Sequence, residues 1–191
     1  MGFERIGGEE VWAGKMVRVR EDRFRHHDGD EVTREVVVHP GAVAIVAHDG
    51  ERLYMVAQPR EAVDEQLLLE LPAGKVDEGE EAEATGRREL AEEIGKAARR
   101  WELLARCYSS PGFTDEEIHV YLATELSDAD GEAEESERIE VRAVSLADLA
   151  ATIASCRDAK SLVGLLLLKD RLGGIPASRL AAPRDELRAP E

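Results

Sequence analysis

Four charged residues lie close together in one short stretch of the chain, at a spacing that could serve metal chemistry. They are Arg88, Glu89, Glu92 and Glu93. Since a helix turns by about 100° per residue, Glu89 and Glu93 would stack on one helix face, with Glu92 beside them. Carboxylate oxygens are the ligands that Mg²⁺ and Mn²⁺ prefer. The spacing therefore predicts a site for a divalent cation.

A solvated acidic helix face is the simpler interpretation of the same residues. Carboxylates near the carboxyl end of a helix oppose its dipole, and like charges one turn apart repel each other, each effect costing roughly a few tenths of a kcal/mol. A bound cation would offset both costs, whereas a solvated face would retain them. The chain as a whole is acidic, with a formal net charge of -16, and part of that charge serves solubility.

The charge balance and the apolar pattern exclude several classes of function. Binding to nucleic acid through phosphates needs a basic surface, which a chain of net charge -16 does not suggest. The longest apolar run, residues 162–168, is far too short to cross a membrane, and the first ten residues lack an apolar signal core. The two cysteines, Cys107 and Cys156, show no CxxC spacing. We expect a cytoplasmic protein with free thiols and without a nucleic-acid or membrane partner.

The elements around the carboxylates follow from periodicity and turn residues. Residues 9–38 alternate in polarity around Asp28-Gly29, and residues 42–58 form two apolar runs around Asp49-Gly50, which predicts two hairpins. The composition from Glu80 to Ile94 favours a helix that carries the carboxylates, with Gly95 as its cap.

The remaining elements mix strands with helices. Further strands are predicted over 67–74, 101–110, 117–126 and 138–145, and further helices over 145–155 and 158–173. Strands and helices do not alternate regularly, so the fold class is α/β or α+β with a mixed sheet.

Eight residues in this region stand at the spacing of a known signature: Gly74, Glu80, Arg88, Glu89, Leu90, Glu92, Glu93 and Gly95. This spacing resembles the Nudix box, the signature of hydrolases that act on a nucleoside diphosphate linked to another group. Lys96 departs from the pattern, because an apolar residue is expected after the final glycine. Gly86, inside the helix, should cost about 1 kcal/mol relative to alanine.

The resemblance implies a Nudix-type α/β/α sandwich with a mixed β-sheet plus N-terminal antiparallel strands. Residues 1–40 would form the antiparallel region, within the interface of a homodimer. Residues 41–175 would form the Nudix hydrolase domain. Residues 176–191 would form a mobile C-terminal tail, rich in proline and alanine.

The resemblance also assigns roles to the box. Glu89 and Glu93 would be the main ligands of Mg²⁺, with Mn²⁺ as an alternative, and Glu92 would share in binding. The carbonyl group of Ala73 would complete the metal site, and Arg88 would orient the carboxylates through charge-assisted hydrogen bonds. Glu80 would hold the loop and the helix together.

Segments outside the box resemble the ADP-ribose pyrophosphatase branch of this family. Pro111, in "SSPGFTDE", falls fifteen residues after Lys96, and "QPR" at 58–60 precedes "LELPAG". Carried over, Arg60 would contact the diphosphate or the terminal ribose, and Glu116 would hydrogen-bond the substrate. Arg34 would reach the substrate from the partner subunit.

The catalytic base of that branch lies on an acidic loop before a late strand. "ESERIEV" matches this location, which implicates Glu135 and Glu137. Glu135 is the preferred base and Glu137 the residue linked to the metal, although the register leaves their roles exchangeable. A loop that closes on the substrate would explain a base outside the helix.

These resemblances imply Mg²⁺-dependent hydrolysis of ADP-ribose, a small-molecule nucleoside diphosphate sugar, to AMP and ribose 5-phosphate. Three alternatives stay open. They are hydrolysis of another nucleoside diphosphate sugar, a non-catalytic sensor that binds ADP-ribose, and an acidic protein that binds metal without cleaving a diphosphate.

Overall fold

The strands form two sheets in the computed structural model, which describes residues 2–129 and 138–173. The smaller sheet is antiparallel and contains β1 (Phe3–Ala13), β2 (Arg18–His26) and β3 (Glu31–Val38). Gly29, in the turn between β2 and β3, has a φ of 93°, as the Asp-Gly signal predicts. The predicted N-terminal antiparallel strands are therefore confirmed, with β1 starting earlier than residue 9.

The larger sheet has seven strands within the described residues. They are β4 (Ala42–His48), β5 (Arg52–Arg60), β6 (Glu65–Glu70), β7 (Ala73–Lys75), β8 (Lys96–Tyr108), β9 (Glu117–Asp128) and β10 (Glu140–Ser145). The main path runs β10-β5-β4-β9-β8, with β6 beside β5 and β7 beside β4. Strands β4 and β9 are parallel and the other pairs are antiparallel, so the predicted mixed sheet is confirmed.

Helices cover both faces of the larger sheet. They are α1 (Ala82–Ile94), α2 (Leu149–Ser155) and α3 (Ala159–Leu172). Alternate residues of β4 explain this arrangement, because Val43 and Ile45 pack with Leu90 of α1, whereas Ala44 and Val46 pack with Leu165 of α3. The predicted α/β/α sandwich is confirmed, and burial on both faces accounts for the apolar composition of β4.

The glycine inside α1 has a packing explanation. Gly86 is buried, and a Cβ atom added there would lie 3.0 Å from Cζ3 of Trp101 and 3.2 Å from Cγ1 of Val43. Contacts this short are rare for real Cβ atoms, so glycine lets the helix approach the sheet closely. Close packing of the helix against the sheet therefore offsets the lower helix propensity of glycine.

The two ends of α1 differ slightly from the sequence expectation. The helix begins at Ala82 rather than Glu80, and Gly95 adopts the left-handed conformation as its cap. Lys96 is already the first residue of β8, and its ammonium group pairs with Asp128 of the neighbouring strand. An apolar side chain is not required there because the position lies at a strand end, beside a carboxylate.

No helix in the described part of the chain is long and apolar enough to cross a membrane. Residues 176–191, predicted to be a tail, lie outside the described residues, as do Glu135 and Glu137.

Candidate active site

A cavity of about 500 Å³ opens where strand ends of the larger sheet meet α1 and the first turn of α3. Its lining combines carboxylates, cations and backbone from six elements and their flanking loops. The polar side chains that line it are His39, Gln58, Arg60, Lys75, Glu89, Glu93, Ser109, Glu116, Asp158 and Lys160. Such a mixture suits an anionic ligand that arrives with a cation.

A group of charged residues near the carboxyl end of α1, here called the acidic wall, consists of Arg88, Glu89, Glu92 and Glu93; Glu89 and Glu93 line the cavity, and Arg88 joins Glu89 to Glu92 behind them. Glu93 is 7% exposed, and its Oε2 atom accepts a hydrogen bond of 2.9 Å from the N–H group of Ala73. This bond ties the helix to the short strand β7. The side chain of Glu93 and the backbone of Ala73 therefore meet at one point, through the N–H group of Ala73 rather than through the carbonyl that the resemblance assigned to the metal.

The acidic wall lies against the backbone of β7 at a second point. A Cβ atom added to Gly74 would overlap the carboxylate of Glu89. Glycine at position 74 therefore lets this carboxylate lie directly on the strand.

Arg88 holds the carboxylates of the acidic wall together. Its Nη1 atom donates to Glu89 at 2.8 Å and to Glu92 at 2.9 Å, and its Nη2 atom donates to Glu80 at 3.3 Å. Burial acts to lower the pKa of Arg88, but pairing with these carboxylates outweighs burial and raises the pKa. The same guanidinium lowers the pKa of Glu80, which also accepts a hydrogen bond from Thr85.

The donor chemistry of the acidic wall suits a hard divalent cation. Glu89 and Glu93 line the cavity beside the backbone of Ala73. The two side chains offer carboxylate oxygens and the backbone offers a carbonyl oxygen, which are the ligands that Mg²⁺ and Mn²⁺ bind. Within residues 2–129 and 138–173, no group of three or more histidine, cysteine, aspartate or glutamate side chains is arranged to hold a metal ion. Arg88 and the N–H group of Ala73 are among the partners of these carboxylates.

A second group of charged residues, here called the cationic wall, consists of Arg60 and Lys160 around Glu70. The Nε and Nη2 atoms of Arg60 donate to Oε2 of Glu70 at 2.9 and 2.6 Å, and Gln58 donates to the same oxygen at 3.2 Å. Lys160 reaches the other oxygen, Oε1, at 3.2 Å. The Glu70 side chain is 4% exposed, so these cations neutralise a buried carboxylate.

The first turn of α3 fixes the position of the cationic wall. Asp158 caps the helix by accepting a hydrogen bond from the N–H group of Ser161, and it also lies 2.9 Å from Nζ of Lys160. The N–H group of Leu71 donates to the Ser161 hydroxyl at 2.7 Å. Burial acts to raise the pKa of Asp158, but Lys160 and the hydrogen bonds from Ser161 outweigh it and lower the pKa.

The structure brings most of the predicted substrate-binding residues into this one cavity. Arg60 and Glu116 both line it, together with His39, whose Nδ1 atom lies 3.5 Å from Oε1 of Glu116. Arg34 is not among the lining residues. It lies in the smaller sheet, beside a separate cavity of about 570 Å³, and its Nη1 atom donates to the carbonyl of Thr33.

Sequence reasoning missed two residues of the cationic wall, Glu70 and Lys160. The signal for Glu70 was present, because a single carboxylate interrupts the apolar run "LLLELP", and a charge inside a strand of a buried sheet needs a partner. Lys160 carried no comparable signal, since a lysine near a helix end is ordinarily solvated.

A family model described as the NUDIX domain matches residues 38–162. The chain therefore belongs to the Nudix family, as the box predicted.

Within that family the chain is similar to ADP-ribose pyrophosphatases. One from Bacillus subtilis (strain 168) is 39% identical over 174 residues, which covers 87% of this chain and 94% of the relative. One from Mycobacterium tuberculosis (strain ATCC 25618 / H37Rv) is 46% identical over 126 residues, which covers 65% of this chain and 60% of the relative. A solved structure titled as an ADP compounds hydrolase matches with a TM-score of 0.81 and 21% identity, over 91% of this chain and 96% of that one. That structural match confirms the fold.

Proposed function

We propose that this protein hydrolyses the diphosphate of ADP-ribose to give AMP and ribose 5-phosphate, in a reaction that depends on Mg²⁺. The observation that carries the proposal is the meeting of the acidic wall and the cationic wall in one cavity. A diphosphate ester fits between them, because the acidic wall binds a cation that neutralises it and the cationic wall binds it directly. Two relatives named as ADP-ribose pyrophosphatases, matched over most of this chain, support the choice of sugar nucleotide.

The residues of the acidic wall have defined tasks in this proposal. Glu89 and Glu93 hold Mg²⁺ or Mn²⁺ with the carbonyl of Ala73, Glu92 contributes a further carboxylate, and Arg88 orients the set. A bound divalent cation supplies charge neutralisation of the diphosphate and a lowered pKa for an attacking water.

The other residues bind the substrate and move its protons. Arg60 donates hydrogen bonds to the diphosphate or the terminal ribose, and Glu116 accepts one from the substrate. Glu135 takes a proton from the water that attacks phosphorus, with Glu137 as the alternative base. A bond forms between the water oxygen and one phosphorus as the bridging P–O bond breaks, so the two products each carry one phosphate.

We further propose a cytoplasmic homodimer with residues 1–40 in its interface and residues 41–175 as the catalytic domain. The exposed apolar side chains of β1 support this assembly, since Phe3 is 70% and Trp12 is 55% exposed in the single chain. In a dimer Arg34 would face the partner's cavity. Light scattering of the full chain distinguishes a dimer of about twice 21.0 kDa from a monomer.

A phosphatase-coupled assay tests the activity, because both products release inorganic phosphate to alkaline phosphatase whereas the intact diphosphate does not. The full chain is assayed with ADP-ribose and with ADP-, GDP- and UDP-linked hexoses, in Mg²⁺, in Mn²⁺ and in EDTA. We expect release to be fastest with ADP-ribose and Mg²⁺ and to be abolished by EDTA. Glu93→Gln should lose this release, and Glu83→Gln is its matched control on the same helix, since Glu83 is exposed and pairs with Arg87.

The other outcomes are equally informative. Fastest release from another sugar nucleotide would retain the reaction and replace the substrate. Binding of ADP-ribose without release would favour a sensor, and metal binding without either would favour a plain metal-binding protein.

A further inference from the structure

Lys160 stands where helix electrostatics disfavour a cation. It is the second residue of α3, at the amino-terminal end, where the helix dipole favours negative charge. Its side chain is 15% exposed, so most of the side chain is out of contact with water. Residues that break a local rule at an electrostatic cost are concentrated at functional sites.

The acidic wall breaks the same rule in the opposite sense. Glu92 and Glu93 lie in the last turn of α1, at the carboxyl end, where the helix dipole favours cations. Glu93 and Lys160 both line the same cavity. The unfavourable charges of the two helices therefore meet around one space, with opposite signs.

The contacts of Lys160 fix its ammonium group without using all of its donors. Nζ lies 3.2 Å from Glu70 Oε1 and 2.9 Å from Asp158 Oδ2. Lysine has three N–H donors, so two carboxylate contacts leave a third for an anion that enters the cavity. Arg60 is similar, because its Nε and Nη2 edge faces Glu70 and its Nη1 group lies on the other side of the guanidinium.

We infer that Lys160 is a further substrate-binding residue, whose ammonium group contacts the diphosphate of the bound nucleotide sugar beside Arg60. Glu70 is the positioning residue that holds both cations by its two buried oxygens. This inference rests on the proposed function and extends it to a lining residue outside the acidic wall. Lysine provides a point charge to a phosphate group, whereas arginine provides a planar fork, so the two contacts are complementary.

A purely structural ion pair between α3 and β6 is the competing explanation, and it predicts different measurements. Loss of a structural tie lowers thermal stability and affects the Michaelis constant and the turnover number together. Loss of a substrate contact raises KM and leaves kcat nearly unchanged, because the contact is the same in the ground state and the transition state.

Lys160→Met removes the charge, Lys160→Arg keeps it, and Lys160→Gln is a neutral side chain that can still donate to Glu70. The full-length variants are assayed with ADP-ribose and Mg²⁺, and each is also titrated with the non-hydrolysable α,β-methylene analogue of ADP-ribose. Lys169→Met is the matched control, since Lys169 is an exposed residue of the same helix.

We expect Lys160→Met and Lys160→Gln to raise KM by about 10–100-fold with kcat within about 3-fold, since a hydrogen bond to a charged group contributes an effect of this order. The analogue should bind more weakly by the same factor, and KM should become less sensitive to salt. Lys160→Arg should retain most of the affinity, and Lys169→Met should behave as the unmodified protein.

An unchanged KM and an unchanged affinity for the analogue in a folded Lys160→Gln variant would overturn the inference. An equal loss of affinity for substrate and analogue in Lys160→Gln and Lys160→Arg, accompanied by a lower melting temperature, would also overturn the inference. That result would favour a purely structural ion pair. If the unmodified protein neither cleaves nor binds ADP-ribose, the proposed function fails first, and that result is visible before any variant is compared.

Discussion

The acidic wall and the cationic wall are assembled on the same plan with opposite charges. In the first, the guanidinium of Arg88 gathers the carboxylates of Glu80, Glu89 and Glu92. In the second, the carboxylate of Glu70 gathers Arg60 and Lys160. Each wall thus has one central charge that fixes several charges of the other sign, and each limits their freedom before a ligand arrives.

The two walls differ in their exposure to solvent and in the balance of their positive and negative charges. The Arg88 side chain is 33% exposed, and the carboxylates around it outnumber it, so the acidic wall retains negative charge for a cation. Glu70 is 4% exposed, and its two cations are also balanced by Asp158. The comparison teaches that the acidic wall is left with an excess of carboxylates, whereas the two cations of the cationic wall are matched by two carboxylates. In the proposed function, that excess negative charge serves an exchangeable cation.

Glu93→Gln should break the acidic wall with the largest effect. The amide retains the shape of the side chain but loses the charge that holds a cation, and metal assistance contributes several kcal/mol to such reactions. We expect kcat/KM to fall by about 1,000-fold or more while circular dichroism shows an intact fold. Near-normal turnover in this variant would rule out Glu93 as a metal ligand.

Addition of Mg²⁺ should stabilise the acidic wall even without substrate. A cation that binds the folded state relieves the repulsion between carboxylates and contributes about 2.7 kcal/mol at one hundred times its dissociation constant. We expect the melting temperature to rise by several degrees with Mg²⁺, and the rise to be much smaller in Glu93→Gln. An equal rise in both proteins would place the stabilising cation elsewhere.

Arg60→Met should weaken the cationic wall and leave the acidic wall intact. It removes charge-assisted hydrogen bonds of roughly 1.5–3 kcal/mol. We expect KM for ADP-ribose to rise about 10–100-fold, with the stabilisation by Mg²⁺ unchanged. Arg142→Met, at an exposed position of β10, is the control. Loss of the Mg²⁺ response in Arg60→Met would show that the two walls are not independent.

Gly86→Ala tests how closely α1, and with it the acidic wall, must approach the sheet. The added methyl group would crowd Trp101 and Val43, and overpacking costs about 1–3 kcal/mol against a gain in helix propensity of about 1 kcal/mol. We expect urea denaturation to show a net loss of up to about 2 kcal/mol. Ala84→Gly, at an exposed position of the same helix, measures the propensity effect alone. A more stable Gly86→Ala protein would mean that Trp101 and Val43 shift to make room for the added methyl group.

Asp158→Asn should give the smallest effect, which is a change in how protein stability depends on pH in the acid range. Because the folded pKa of Asp158 lies below its ordinary value of about 3.9, its contribution is fully present above that value and is lost as the pH falls through the folded pKa. We expect the variant to be less stable than the unmodified protein near neutral pH, with the difference shrinking below about pH 4. A constant difference from pH 7 to pH 2 would exclude ionisation of Asp158 as the source.

The acidic wall could be predicted from the sequence because it lies within one helix. Helical periodicity places Glu89 and Glu93 on one face without any knowledge of the rest of the fold. The strands β4 and β5 were equally accessible, since apolar runs around Asp49-Gly50 specify a hairpin locally.

The cationic wall could not be predicted in the same way. Arg60, Glu70 and Lys160 belong to three elements, and Glu70 is 90 positions from Lys160 along the chain. Periodicity carries no information about such a pair, and only tertiary packing decides that they meet. The start of α1 also shifted, because Glu80 uses its side chain to bind Arg88 and Thr85 just before the helix begins.

The segment from Glu70 to Ala73 belongs to both walls. Glu70 anchors Arg60 through its side chain, whereas Ala73 anchors Glu93 through its backbone. Three residues of extended chain span at most roughly 10–11 Å, so the backbone positions to which the two walls are tied cannot lie farther apart than this. A diphosphate has the same length in every nucleotide sugar. In the proposed function, this fixed spacing serves the part that all such substrates share, and residues outside the segment would discriminate among sugars and bases.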